Sequence, residues 1–163
     1  MNLLNAIEEQ IIGTLKIIEH RLILERRGPK TEEIFEALGD LGQNNYDVAT
    51  GKCKDKFDNQ WLFDLIWYDN DESGHLISIP LVVESELKLD LINHKVDFEK
   101  LLASNADNRL FICQAYTDDI ESRFKYFQEG IDIYKLNKEG DNYLIVIFDY
   151  YTHELVYKKF LKI

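Results

Sequence analysis

Two apolar runs in this chain carry carboxylates where a buried β-strand would not ordinarily tolerate them. Leu81-Val82-Val83-Glu84-Ser85-Glu86 reads as an apolar strand ending in two glutamates, and Trp61-Leu62-Phe63-Asp64-Leu65-Ile66-Trp67-Tyr68 holds a single aspartate at its centre. A buried ionised carboxylate without a partner is costly, so such a group loses its charge, pairs with a cation or binds a metal. Three acidic residues on two neighbouring strands suggest an oxygen-ligand site for a hard divalent cation. On a strand, residues i and i+2 point the same way, which puts Glu84 and Glu86 on one face with roughly 7 Å between their α-carbons. If the strand carrying Asp64 pairs alongside, about 5 Å away, the three side chains can converge. Magnesium keeps several waters and needs only two or three protein carboxylates; manganese suits the same hard oxygen ligands. Such an ion polarises a phosphodiester and activates bound water. A solvated or lysine-paired Glu-x-Glu is the structural alternative for the same residues.

The surrounding pattern must supply the strands. Asn70-Asp71-Glu72-Ser73-Gly74 is a turn, so the strand after it returns antiparallel to the first. In that second strand Ile77, Ile79, Leu81 and Val83 fall on one side and Ser78, Pro80, Val82, Glu84 and Glu86 on the other, with Pro80 pointing to an edge, a bulge or a strand start. Upstream, Leu4, Ile7, Ile11, Leu15, Ile18 and Leu22 form one helical stripe ended by Gly28-Pro29. Thr31 is placed to cap a short second helix with Ile34, Phe35 and Leu38 inward. Tyr46 to Ala49 reads as a short strand. Asp97 is expected to cap a helix whose inward face is Phe98, Leu101 and Leu102. Arg109 to Gln114 is a strand, Asp118 to about Gly130 a helix, and Tyr143–Tyr151 and Glu154–Leu161 two closing strands. The expected order is helix, helix, three strands, helix, strand, helix, two strands, in one domain spanning residues 1–163.

Composition narrows the function classes. With 163 residues, 45% hydrophobic and 30% charged, the chain has the material for one core and none of the bias of a disordered segment. Cys53 and Cys113 form no CxxC pair, which argues against a disulfide framework and a structural zinc site. Charges at Glu8, Glu9, Lys16, Glu19 and Arg21 interrupt the first apolar pattern, so neither a signal peptide nor a membrane span is expected, and the cytoplasm is the default location. No glycine-rich phosphate loop or nucleophile elbow appears, and His20, His75, His94 and His153 are scattered. The net charge of −11 opposes tight non-specific binding to nucleic acid, whose phosphates call for lysine and arginine. Lys52, Lys54 and Lys56 are the alternating basic cluster near the proposed site, suited to a phosphate backbone or simply to a solvated loop.

A helix, then an antiparallel strand pair carrying Asp and Glu-x-(Lys/Glu), then helix and strand, resembles the PD-(D/E)XK nuclease superfamily of restriction and repair endonucleases. The resemblance covers roughly residues 1–115. It implies a restriction-endonuclease-like three-layer α/β fold, with a mixed central sheet flanked by helices. It also implies Mg2+- or Mn2+-dependent cleavage of nucleic acid, DNA ahead of RNA. On this resemblance Asp64 and Glu84 are metal ligands, the Ser85 carbonyl is a further ligand, and Glu86 stands where most members have lysine, as in the Glu-x-Glu variant of some restriction enzymes. Glu86 can serve only as ligand or base. The missing lysine directs attention to Lys88, which has the right strand parity, and to Lys100 on the following helix. Glu33, or Glu25, from the first helices is placed to complete the metal site. The competing class is a non-catalytic acidic module, an adaptor or immunity-type protein that binds a basic protein surface.

Overall fold

The computed structural model describes residues 3–53, 56–58 and 61–163. The elements follow the expected order: α1 (Ala6–Glu25), α2 (Thr31–Gly42), β1 (Asp47–Thr50), β2 (Leu65–Asn70), β3 (Leu76–Glu86), α3 (Leu91–Leu102), β4 (Asn108–Ala115), α4 (Ile120–Ile133), β5 (Asn142–Asp149) and β6 (Leu155–Leu161). A single 3-10 turn, Thr117–Asp119, leads into α4. The six strands lie in one mixed sheet in sequence order. β2 is antiparallel to both β1 and β3, β3, β4 and β5 are parallel, and β6 is antiparallel to β5. Each parallel crossover contains a helix, as such connections require.

Alternation along the strands divides the interior in two. Leu65, Trp67, Leu81, Val83, Leu110, Ile112, Leu144 and Val146 pack against Ile11, Leu15, Leu22, Ile34, Phe35 and Leu38 of α1 and α2. Ile66, Val82, Phe111, Cys113, Ile145 and Ile147 face Phe98 and Leu101 of α3 and Phe124 and Phe127 of α4. The central strands β4 and β5 are buried on both faces, hence the apolar runs 110–113 and 143–148 at their centres. Both cysteines are buried and unpaired. No helix among the described residues is long and apolar enough to cross a membrane.

Local chemistry moves several expected boundaries. α1 stops before Gly28-Pro29 because Arg26 takes a left-handed conformation (φ 54°) and its N–H turns back to the Ile23 carbonyl. The cap of α3 is Asp90, whose Oδ1 accepts the Asn93 N–H at 2.9 Å, so Asp97 lies in the middle of the helix. Pro80 is accommodated where the β2–β3 register shifts, between the Trp67–Leu81 and Asp69–Ser78 pairs.

Gly42 ends α2 against the Trp67 indole, and a β-carbon there would run into that ring. The ring cannot yield: Trp67 is 1% exposed and its Nε1 donates to the Leu38 carbonyl at 3.1 Å. Gly42→Ala is therefore expected to lose about 1–3 kcal/mol to overpacking despite alanine's better helix propensity. Gly13, exposed on α1 with open space around its α-carbon, should gain about 0.5–1 kcal/mol on the same substitution. Urea midpoints of the two variants should move in opposite directions.

Candidate active site

Asp64 and Glu84 meet where the β2–β3 ladder ends. The register pairs Leu65 with Val83, which sets Asp64 directly opposite Glu84 and on the same sheet face. The expected strand from Trp61 begins only at Leu65, so Asp64 lies at its mouth; Trp61 and Leu62 are exposed. Side chains take over from the ladder there. The Asp64 N–H donates to Glu84 Oε1 at 3.1 Å, and the Ser85 N–H donates to Asp64 Oδ2 at 3.0 Å. Both residues are buried, at 7% and 0% exposure.

Each carboxylate thus has one oxygen fixed by the opposing strand's backbone, and each second oxygen faces a lysine. Lys52 Nζ lies 3.4 Å from Asp64 Oδ1, and Lys100 Nζ lies 3.4 Å from Glu84 Oε2. Lys100 leaves the solvent-facing side of α3, as its position opposite Phe98 and Leu101 requires, but its long stem carries the ammonium back over the strand end. Asp97, one turn earlier, holds that ammonium at 2.8 Å. The residue expected as a cap is the one that steers Lys100.

Burial first, and the neighbouring Asp64 carboxylate second, push the Glu84 carboxyl up to about 8; Lys100 opposes the shift but offsets only part of it. Lys100 shares its charge between two carboxylates, and its own pKa is raised, with the Asp97 hydrogen bond the largest cause. The loop between β3 and α3 is fixed from below by buried His94, whose Nε2 donates to the Lys88 carbonyl at 2.5 Å; desolvation lowers the pKa of that imidazole.

The other expected ligands stand apart, and the anticipated triad of carboxylates is a pair. Glu86 lies beyond Glu84 on β3, but its Oε1 turns to the Lys88 N–H at 2.8 Å, closing the strand exit instead of joining Asp64. Lys88 itself is exposed beyond the strand. Glu33 is engaged on α2, across the sheet from α3. Arg27 grips it at 2.8 and 2.9 Å, Arg21 approaches to 3.5 Å, and the Lys30 N–H donates to it at 2.9 Å. The Arg27 hydrogen bonds hold the Glu33 carboxyl below the usual range. Glu25 belongs to the same cluster, 2.6 Å from Arg27 Nε. Lys54 lies outside the described residues, and Lys56 pairs with Glu36 and Asp40 of α2.

Among the described residues no group of three Asp, Glu, His or Cys side chains is placed to share a metal ion. The donor set that remains, two buried carboxylates with one oxygen apiece plus the Ser85 carbonyl as an extra candidate, fits a hard cation that retains several waters. It does not suit a tetrahedral zinc site, which takes three or four nitrogen or sulfur ligands. The sequence reading passed over Thr50. Its buried hydroxyl donates to the Asp64 carbonyl at 2.6 Å and accepts the Lys52 N–H at 3.1 Å, tying the lysine loop to the aspartate. The only signal for it was a hydroxyl two residues ahead of a lysine. Compared with known proteins, the chain matches no protein-family model, no curated protein sequence and no solved structure.

Proposed function

We propose that the protein is a metal-dependent nuclease on a restriction-endonuclease-like scaffold, with Asp64 and Glu84 as the ligands of Mg2+ or Mn2+. The observation that supports this most is the opposition of the two buried carboxylates at one strand end, each turning a single oxygen toward a lysine. A structural ion pair needs one carboxylate and one cation. Two carboxyls placed together under burial resist being ionised together, and an arrangement of that kind is characteristic of functional sites.

Asp64 and Glu84 fix the position of the cation, which when bound supplies charge neutralisation and water activation. Lys100 takes the part of the lysine missing from the Glu-x-Glu motif. Held by Asp97 beside Glu84, it provides a positive charge for the developing negative charge on the phosphate and orients a nearby water by hydrogen bonding. Glu86 and Glu33 have no part in this scheme.

Asp64→Asn is expected to reduce Mn2+-dependent cleavage of a mixed DNA panel by about a thousandfold, in line with losing one strong electrostatic contribution to the transition state. Its far-UV spectrum should be unchanged, because asparagine Oδ1 can still accept the Ser85 N–H. Cleavage unaffected by Asp64→Asn, or none by the unaltered protein on DNA or RNA with either metal, would remove the proposal. The second reading, an acidic module for a basic protein partner, is favoured by the net charge of −11. It predicts salt-sensitive retention of a basic protein and no cleavage.

A further inference from the structure

Lys52 is attached to the site twice, at its backbone and at its ammonium. Thr50, 2% exposed, bridges the Lys52 N–H and the Asp64 carbonyl through one hydroxyl, at 3.1 and 2.6 Å. The main chain of the lysine is therefore held in place beside the aspartate. Its side chain is 37% exposed and reaches Asp64 Oδ1 at 3.4 Å, longer than a direct charge-assisted hydrogen bond. Four methylenes allow the tip to move several ångströms about a fixed α-carbon. Asp64 Oδ2 is already taken by the Ser85 N–H, so the oxygen Lys52 faces is the one left for a cation.

An ammonium and a divalent ion compete for that oxygen, because like charges at contact distance repel. Resting on the reading of Asp64 and Glu84 as cation ligands, we propose that Lys52 is a substrate-contacting residue. It stands in for the metal on Asp64 in the metal-free protein and passes to a phosphate oxygen of the nucleic acid when the cation binds. The exchange keeps the acidic pair neutralised before metal arrives and delivers a second positive charge, beside Lys100, to the phosphate afterwards. No bond is made or broken in it; one counter-ion replaces another.

An ordinary surface ion pair and this exchange give different results when the charge is removed. Lys52→Met keeps the length and loses the ammonium. On the full chain, titrated calorimetrically with Mn2+ alone, it should bind roughly fivefold tighter than the unaltered protein, since a competing cation is gone. Lys52→Arg should bind Mn2+ as the unaltered protein does. In cleavage of DNA, Lys52→Met should raise KM roughly tenfold or more by losing a phosphate contact, with a smaller change in kcat, and Lys52→Arg should restore it. Equal or weaker Mn2+ binding by Lys52→Met overturns the exchange, and an unchanged KM overturns the substrate contact. If the unaltered protein and Glu84→Gln bind Mn2+ alike, the metal-site reading itself falls, and this inference with it. That outcome is separate from one in which Mn2+ binding depends on Glu84 but not on Lys52.

Discussion

Glu84→Gln is expected to make the metal-free protein more stable above neutral pH and, on the proposed reading of Asp64 and Glu84 as cation ligands, to abolish any response to metal and any cleavage. The sign follows from the direction of the shift. Glu84 ionises near pH 4.5 in the unfolded chain and only at about 8 in the folded one. Between those values the folded state keeps a proton that the unfolded state has released. The stability contributed by the protonated form is complete below pH 4.5 and is lost as pH rises through about 8. Glutamine imitates the protonated carboxyl and can still accept the Asp64 N–H. The variant and the unaltered protein should therefore match below about pH 4.5 and diverge as pH rises, by a few kcal/mol in favour of glutamine above pH 8.

If the proposed site holds a divalent cation, that cation should reverse the order, because binding to the ionised carboxylate would stabilise the folded state by mass action. In the unaltered protein the metal-dependent rise in Tm should be larger at pH 8.5 than at pH 6, where metal must displace a proton. Glu84→Gln should show no rise at either pH. Chelator-treated protein, melted across this range with and without Mn2+, provides the check. A variant destabilised equally at pH 5 and pH 8.5 would mean that Glu84 acts through packing alone.

The second large effect lies at the sheet edge away from the site. Glu8 is 1% exposed, accepts the Asn5 N–H at 2.8 Å in a capping box, and meets Lys159 of β6 at 2.8 Å. The pair joins the first turn of α1 to the last strand. Lys159→Met should cost about 3–5 kcal/mol, because it leaves a buried carboxylate without its cation. Adding Glu8→Gln should recover a good part of that loss, since no buried charge remains. Urea unfolding of the two single variants and the double variant closes the cycle. A double variant as unstable as Lys159→Met would show that packing, and not the uncompensated charge, sets the cost.

The order of elements was legible in the sequence because it depends on local patterns: a 3.6-residue stripe from Leu4 to Leu22, the turn at Asn70–Gly74, and unbroken apolar runs in β4 and β5. The pairing of Asp64 with Glu84 was legible for the same reason. A short turn makes the next strand antiparallel, and strand parity then decides which side chains share a face. Neither pattern could say which third residue joins them. Glu86 has the correct parity, yet the Lys88 N–H at the strand exit captures its side chain. Glu33 has the correct charge, but α2 packs across the sheet from α3, where two arginines hold it.

The two lysines at the site are likewise placed by tertiary contacts. Periodicity assigns Lys100 to the outer face of α3, and its α-carbon is there, but a flexible stem and the carboxylate of Asp97 bring the charge inward. Lys52 sits in an irregular loop with no periodic signal, and a tertiary hydrogen bond from Thr50 to the strand carrying Asp64 places it. Sequence by itself determined the order of the elements, the antiparallel return of β3 on β2 and the shared face of Asp64 and Glu84, because backbone periodicity and turn chemistry are local. That Asp64 stands at the mouth of β2 and not in its middle, and that β3, β4 and β5 run parallel, came from the tertiary structure. Only the tertiary structure decided which cations face that pair. Long side chains choose among partners brought close by the packing of distant elements, and nothing in the spacing of residues records that choice.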